Sequence, residues 1–432
     1  MSAAAPRRAV PMGLAAIAGR LRVGLAALAA LAMLSACATP HRYPAVPPEL
    51  ALQAEPDTFA VRYLVARGSA DFAAEARESL RRELAWRASH GETGPLPPAN
   101  FLAISGGGDD GAFTAGLLNG WTARGDRPEF KAVTGVSTGA LIAPFAFLGP
   151  RYDHVLKTVY TDISQQDIFK RRNLVRAFFG DALSDTTPLY KLLSRYVDRS
   201  LLDQIAAEYA KGRVLLVGTT LLDTPEPVIW NMTAIASSHD PRALDLFRKI
   251  MIASASIPGA FPPVMIDIEA NGTHYQEMHV DGGAMAQVFA YPPSLNLRDE
   301  SARAGVKRKR NLYIIRNSRI DPEWASVQRR TLSIAGRAIS SLMMTQGIGD
   351  LYRIYVTTSR DGVDYNLAFV PSTFNTPHTK QFDTDYMRAL YKVGYDMGVA
   401  GYPWRKTPPG YDGAVIGAPP REGPAVVASP AR

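Results

Sequence analysis

From about residue 101 onward, short apolar runs alternate with stretches of helical spacing. Phe101-Leu102-Ala103-Ile104 reads as a buried strand, followed by a glycine cluster and a helix from about Ala112. Lys131 to Val136 is a second strand, and a helix starts at Thr138 with Pro144 set to kink it. Val214 to Val217, Tyr275 to Val280 and Asn311 to Arg316 are further strands, the last ahead of a long helical region. This alternation predicts an α/β fold with a central, mostly parallel sheet flanked by helices. Residues 351 to 370 read as a C-terminal hairpin turning at Asp361-Gly362. Upstream, residues 59 to 89 read as helical, with Glu75, Glu78, Arg81 and Arg82 as mixed charges on a solvated face. Gly94 to Pro98 ends that segment.

The two ends of the chain read differently. Residues 1–36 carry four arginines and no acid, with an apolar run from Val23 to Leu34. A membrane-crossing helix needs about 20 apolar residues, so this short run predicts a secretory signal peptide. Leu34-Ser35-Ala36-Cys37 resembles the bacterial lipobox, and the chain's only cysteine falls at its acylated position. That resemblance implies several acyl chains on Cys37 and a firm membrane anchor. Ala38, where retained inner-membrane lipoproteins often have Asp, points to the outer membrane, facing the periplasm. Residues 37–58 hold Pro40, Pro44, Pro47, Pro48 and Pro56 and predict an extended tether. Residues 408–432, rich in Gly, Pro and Ala, predict a disordered tail. Between these ends lie a helical segment at 59–98, a catalytic region at 99–300 and its C-terminal part at 301–407.

Composition narrows the function classes. With 47% hydrophobic and 20% charged residues over 432 positions, the bulk of the chain is globular. One cysteine excludes an intramolecular disulfide and cysteine-rich zinc modules. Half of the formal +8 charge sits on the four arginines of the signal segment, so no nucleic-acid partner is implied. The run Lys307-Arg308-Lys309-Arg310 reads as a solvated loop, with contact to anionic head groups as its functional alternative. Phe169, Phe178 and Phe179 beside Lys170, Arg171, Arg172 and Arg176 form either a packed face or an interfacial lid. His274, Glu277 and His279 match no zinc spacing, and neither metal nor cofactor is expected.

Three sites carry chemistry, each after a strand. Gly135-Val136-Ser137-Thr138-Gly139 is a G-x-S-x-G sequence at a strand-to-helix turn, where small flanks allow a serine to be lifted clear of the backbone. Gly106-Gly107-Gly108 precedes a helix and exposes backbone N–H groups. Asp109 and Asp110 follow at once and would repel a polyphosphate, so a transient oxyanion suits the loop better. Either acid also suits the helix start as a cap. Asp281-Gly282-Gly283 ends a strand, where a carboxylate can face a site. His279 shares its strand face and reads as partly exposed, with the capacity to tune Asp281.

Taken in order, these motifs resemble the patatin-like phospholipases, a family of lipid acyl hydrolases. Gly106-Gly107-Gly108 with Gly111, the Ser137 pentapeptide, Ala253 to Pro263 ending in Phe-Pro-Pro, and Asp281-Gly282-Gly283 carry the likeness over residues 99–290. The resemblance implies a nucleophile at Ser137, flanked by Gly135 and Gly139, a base at Asp281, and an oxyanion hole at Gly106, Gly107 and Gly108. It also implies a layered α/β fold and a lipid ester substrate. One departure stands out: Asp110 occupies the place of the family's usual Arg or Lys. Ser137, Asp281 and His378 follow the serine–acid–histidine order of an α/β-hydrolase triad, the alternative mechanism. A non-catalytic lipoprotein on an inactive hydrolase fold is a third reading, to which only Asp110 inclines.

Overall fold

The computed structural model describes residues 42–56, 61–64, 68–171, 181–322, 326–378 and 380–411. Its main sheet comprises β1 (Arg62–Leu64), β2 (Ala99–Ile104), β3 (Ala132–Val136), β4 (Val214–Leu221), β5 (Glu226–Asn231), β6 (Val264–Ala270), β7 (Thr273–Asp281), β8 (Arg310–Arg316) and β9 (Asp364–Phe369). The strand order is β1-β5-β4-β3-β2-β8-β9, with β7 paired to both β4 and β6. The central run β4-β3-β2-β8-β9 is parallel throughout. All eight residues of β4 are buried, which is why this strand reads as an apolar run without alternation.

Helices longer than one turn are α1 (Ala70–Ser89), α2 (Gly111–Arg124), α3 (Thr138–Leu148), α4 (Asp153–Thr161), α5 (Thr187–Tyr196), α6 (Arg199–Ala210), α7 (Met232–Ser237), α8 (Ala243–Ser254), α9 (Leu297–Arg303), α10 (Thr331–Asp361) and α11 (Thr384–Ala400). On one face of the sheet, Leu102, Ile104, Val133, Leu215 and Val217 pack with Phe113, Leu117, Ile142 and Phe247 of α2, α3 and α8. The other face is shared between α1, through Phe72 against Val214 and Leu216, and α10, through Leu351 and Ile354 against Leu312 and Ile314. The α/β architecture with a mostly parallel core is therefore the observed one.

Two elements differ from their sequence reading. The expected hairpin at 351–370 is instead the end of α10, a left-handed cap at Gly362 (φ 67°), and strand β9 pairing parallel to β8. Leu351 and Ile354 are spaced for a helix, and Asp-Gly serves a helix C-terminus as readily as a hairpin turn. Among the described residues of 59–89, helix begins at Ala70, and Arg62–Leu64 is an edge strand on β5.

The proline-rich segment also departs from a free spacer over residues 42–56. Arg42 pairs with Asp223, the Gln276 N–H donates to the Pro44 carbonyl at 3.0 Å, and Glu55 and Glu269 exchange two backbone hydrogen bonds. Covering the open edge of β6 satisfies backbone groups that would otherwise face water. The signal segment 1–36, Cys37 and most of the 408–432 tail lie outside the described residues.

Candidate active site

The sheet changes partners at one place, and that change builds the site. β3 pairs with β4 as far as Val136 opposite Gly218. At the next position on β4, Thr219 pairs with Asp281 of β7 instead. Ser137 leaves β3 where Asp281 ends β7, so two residues 144 positions apart meet at one level of the sheet. The Ser137 hydroxyl donates to Asp281 Oδ2 at 2.6 Å, and both residues are buried, 7% and 1% exposed.

Ser137 sits at φ 55°, ψ −126°, a backbone state that a side chain rarely adopts. Close packing holds it there. A Cβ on Gly135 would stand 2.4 Å from the Gly139 carbonyl oxygen, and one on Gly139 would stand 2.3 Å from that of Ile104. Glycine at both positions lets the first turn of α3 press onto β2 and β3. Ser254 completes the support: its Oγ accepts the Ser137 N–H at 3.0 Å and donates to the Gly218 carbonyl at 2.6 Å. Two residues on, the Ser256 carbonyl accepts the Asp281 N–H at 2.9 Å. The Ala/Ser-rich segment thus holds both members of the pair by their backbones.

Among the described residues, no cation stands against Asp281. Its other oxygen accepts the Gly283 N–H at 2.7 Å, and its carbonyl accepts the Thr220 hydroxyl. Burial pushes its carboxyl up to about 7, with the hydrogen bonds from Ser137 and Gly283 opposing part of that rise. A buried carboxyl near neutrality is matched to proton transfer at physiological pH.

The glycine loop lies beside this pair, and its three members differ. Gly106 faces the Ser137 side chain, but its N–H donates to the Gln287 carbonyl at 3.0 Å. That amide is committed, so Gly106 is removed from the expected set of oxyanion donors. Among the described residues, the N–H groups of Gly107 and Gly108 have no acceptor. Gly107 adopts φ 151°, and a Cβ there would stand 2.2 Å from the Asn317 carbonyl oxygen. Asn317 pins the loop from β8's end: its N–H donates to Ser105 Oγ at 2.8 Å and its Nδ2 to the Ser105 carbonyl at 2.9 Å.

Asp109 and Asp110 do not cap α2 with their side chains. Asp109 Oδ2 accepts the Phe382 N–H at 2.7 Å and meets His378 Nε2 at 2.7 Å. The Tyr386 hydroxyl donates to Asp110 Oδ1 at 2.6 Å. These acids tie His378, Phe382 and Tyr386 to the end of the glycine loop, which gives Asp110 a partner where the family usually has a cation. His378 is engaged there, and the direct Ser137–Asp281 bond leaves no imidazole between them.

His279 is fully buried rather than partly exposed. It meets Thr219 through Nδ1 at 3.0 Å and Glu277 through Nε2 at 3.2 Å, and burial lowers its pKa. Arg308 is likewise not solvated: it makes two bonds to Glu83, at 2.8 and 3.0 Å. Phe169 is buried against Phe261 and Phe382, while 172–180, with Phe178 and Phe179, lie outside the described residues. Among the described residues no group of His, Cys, Asp and Glu is arranged to hold a metal.

Sequence reasoning gave no role to Ser254 within the Ala253 to Pro263 motif and missed Gln287, Asn317 and Arg316. Arg316, at the end of β8, is buried, which pushes its pKa down to about 10. Its guanidinium donates to Ser318 Oγ at 2.7 Å and to the Met344 carbonyl at 3.4 Å. A separate cavity of about 180 Å³ lies under α1, lined by Phe101, Thr134 and Leu216 on the opposite face; neither Ser137 nor Asp281 lines it.

An α/β domain with a serine on a strained strand-to-helix turn, hydrogen-bonded to a buried aspartate beside a glycine loop, has the architecture of a serine hydrolase. Residues 102–292 match the family model described as patatin-like phospholipase. Among solved structures, VipD from Legionella pneumophila is similar at 14% identity and a TM-score of 0.31, covering 71% of this chain and 66% of its own. Human GIVD cytosolic phospholipase A2 follows at 12% identity and 0.28, covering 66% and 51%. The type III effector protein ExoU stands at 12% and 0.25, covering 71% and 53%. The chain thus spans from about half to about two thirds of the length of these proteins. No curated protein sequence matches it closely enough to count.

Proposed function

We propose that the protein is a lipid-anchored serine acyl hydrolase that cleaves lipid esters through a Ser137–Asp281 dyad. The observation that carries this reading is the 2.6 Å hydrogen bond from Ser137 Oγ to the buried Asp281 carboxylate, at a strained turn. Asp281 takes the hydroxyl proton as Ser137 Oγ attacks the ester carbonyl carbon. The tetrahedral oxyanion is received by the N–H groups of Gly107 and Gly108. Collapse expels the alcohol, which takes the proton back from Asp281 and leaves an acyl-Ser137 ester. Water, deprotonated by Asp281, then releases the fatty acid and restores the serine.

Acylation at Cys37 and delivery to the outer membrane, facing the periplasm, complete the proposal, supported by the lipobox-like residues 34–37. The direct test is labelling of the folded protein by a fluorophosphonate, with fatty-acid release from phospholipid vesicles measured in parallel. Labelling at Ser137 and fatty-acid release are expected together. A folded protein that does neither sinks the proposal in favour of a binding scaffold.

Two variants probe the machinery. Gly107→Ala is expected to lower kcat by about 10² to 10³, the usual cost of losing an oxyanion donor, because the added methyl displaces the loop from Asn317. A kcat within error of wild type would remove Gly107 from the oxyanion site. His378→Ala is expected to change ester hydrolysis by less than about tenfold, because His378 is bonded to Asp109. A loss comparable to that of Ser137→Ala would instead place a histidine in a triad.

A further inference from the structure

α10 is two helices in one. Its second half belongs to the core, with Leu351 fully buried and Ile354 7% exposed. The first half projects away: Ile334, Ile339 and Leu342 are 53%, 51% and 69% exposed, and Val327 just before it is 42% exposed. Large aliphatic side chains scattered singly on a surface are ordinary, but a contiguous set needs an occupant.

At 100° per residue, Ile334, Ala335, Ala338, Ile339 and Leu342 fall on one side of this half. Ser333, Arg337 and Ser340 fall on the other with Met343 and Met344, while Ser341 and Thr345 sit beside the aliphatic set. The serines at 340 and 341 turn their hydroxyls onto the carbonyls of Gly336 and Arg337, at 3.0 and 2.9 Å, so neither donor is left unmet in an apolar medium. From Ser326 to Gly349 the sequence holds Arg329, Arg330 and Arg337 and no acidic residue. The net charge of this stretch is positive, and its natural complement is an anionic surface. Among the described residues no helix is long and apolar enough to cross a membrane. An apolar face with basic residues, on a helix not apolar enough to span, describes a helix that lies in a membrane interface.

The projecting half leaves the core at the active site. Gly347 packs on Arg316 and Gln287, and the Gln287 side chain reaches Gly106 beside Ser137. The Met344 carbonyl accepts from Arg316. A lipid held at the Met344 end of this half is therefore near the glycine loop, while Ile334 lies roughly 20 Å from Gly347 along the helix.

We infer that the first half of α10 is an interfacial docking helix, which seats Ile334, Ile339 and Leu342 among the acyl chains of an anionic bilayer and presents its lipids to Ser137. This rests on the lipid-hydrolase reading for its purpose, but the contact with lipid can be measured without catalysis.

The test uses the full chain with Cys37→Ser and Ser137→Ala, and a single cysteine placed by Leu342→Cys or, on the polar side, Ser340→Cys. Each is labelled with an environment-sensitive fluorophore and mixed with vesicles rich in phosphatidylglycerol or made of phosphatidylcholine alone. A several-fold rise in emission at 342, quenched by a bilayer-borne quencher, is expected with the anionic vesicles, and little change at 340. An unchanged signal at 342 overturns the inference. So does a concentration-dependent rise without vesicles, which marks a second copy on this face.

In the active chain, the double variant Ile339→Asp with Leu342→Asp is expected to lose at least about tenfold in hydrolysis of vesicle lipid. Hydrolysis of a soluble short-chain ester should be unchanged, which also shows that the variant folds. Equal vesicle activity in variant and wild type overturns the inference. Lipid insertion at 342 in a chain that cleaves neither substrate would sustain the docking helix and sink the hydrolase reading alone.

Discussion

Ser137→Ala is expected to lower kcat for ester hydrolysis by about 10⁴-fold or more, the scale on which hydrolases lose their nucleophile. Asp281→Asn should cost about 10² to 10⁴, the range of a lost general base. The two losses should not add, since the residues act as one unit. Steady-state hydrolysis by the single variants and the double variant checks all three statements. Additive losses would mean that Asp281 acts on some step other than activating Ser137. Fluorophosphonate labelling adds a second readout, because Asp281→Asn keeps the hydroxyl in place but should slow its reaction with the probe.

The titration of Asp281 should appear both in activity and in stability, with opposite signs. With a carboxyl at about 7, the basic form that accepts the serine proton is lost as pH falls, so kcat/KM should rise through pH 7 to a plateau. Stability runs the other way. The folded-state pKa lies above the ordinary 3.8, so the native protein binds the extra proton between about pH 4 and 7. That contribution is fully present below the lower value and is lost as pH rises through about 7. At about 1.4 kcal/mol per pKa unit, the cost above pH 7 reaches about 4 kcal/mol.

Asp281→Asn escapes this cost. It is expected to melt several degrees above wild type at pH 8, with the gap closing toward pH 4, by calorimetry or urea unfolding. A gap of constant size across that range would show that burial of the charge is not what destabilises the site. The same substitution should therefore stabilise the fold above pH 4 and slow the chemistry, as expected where a charged group is kept in an apolar setting for function.

Motifs that were legible in the sequence are those whose backbone geometry demands particular residues. The Ser137 turn needs glycine on both sides because α3 presses against β2, and the Gly107 position needs glycine because Asn317 is in the way. Such requirements are local and leave a local mark. Gln287 and Asn317 left none, because each is an ordinary polar residue whose partner lies far along the chain; Ser254 lies in the Ala253 to Pro263 motif, but its bonds to Ser137 and Gly218 do not show in the sequence. Arg308 was misread for the same reason, since Glu83, which neutralises it, is 225 positions away. The Asp361-Gly362 turn failed differently. A left-handed glycine ends helices and turns hairpins alike, and only the parallel pairing of β9 with β8 decides between them.

The docking of residues 42–56 on β6 and β7 also sets how far the domain can stray. If the chain is held to a bilayer at Cys37, only five residues of chain separate the anchor from Arg42, which is clamped by Asp223. Five residues reach at most about 18 Å when fully drawn out, much less than the 37–58 segment would reach if all of it hung loose. Under the proposed anchoring, a span that short would confine the domain to a thin layer above the lipid, where encounter with the surface would become an intramolecular event. Lengthening it with a flexible insert between Cys37 and Arg42 would dilute the enzyme at its own membrane without touching a single residue of the site.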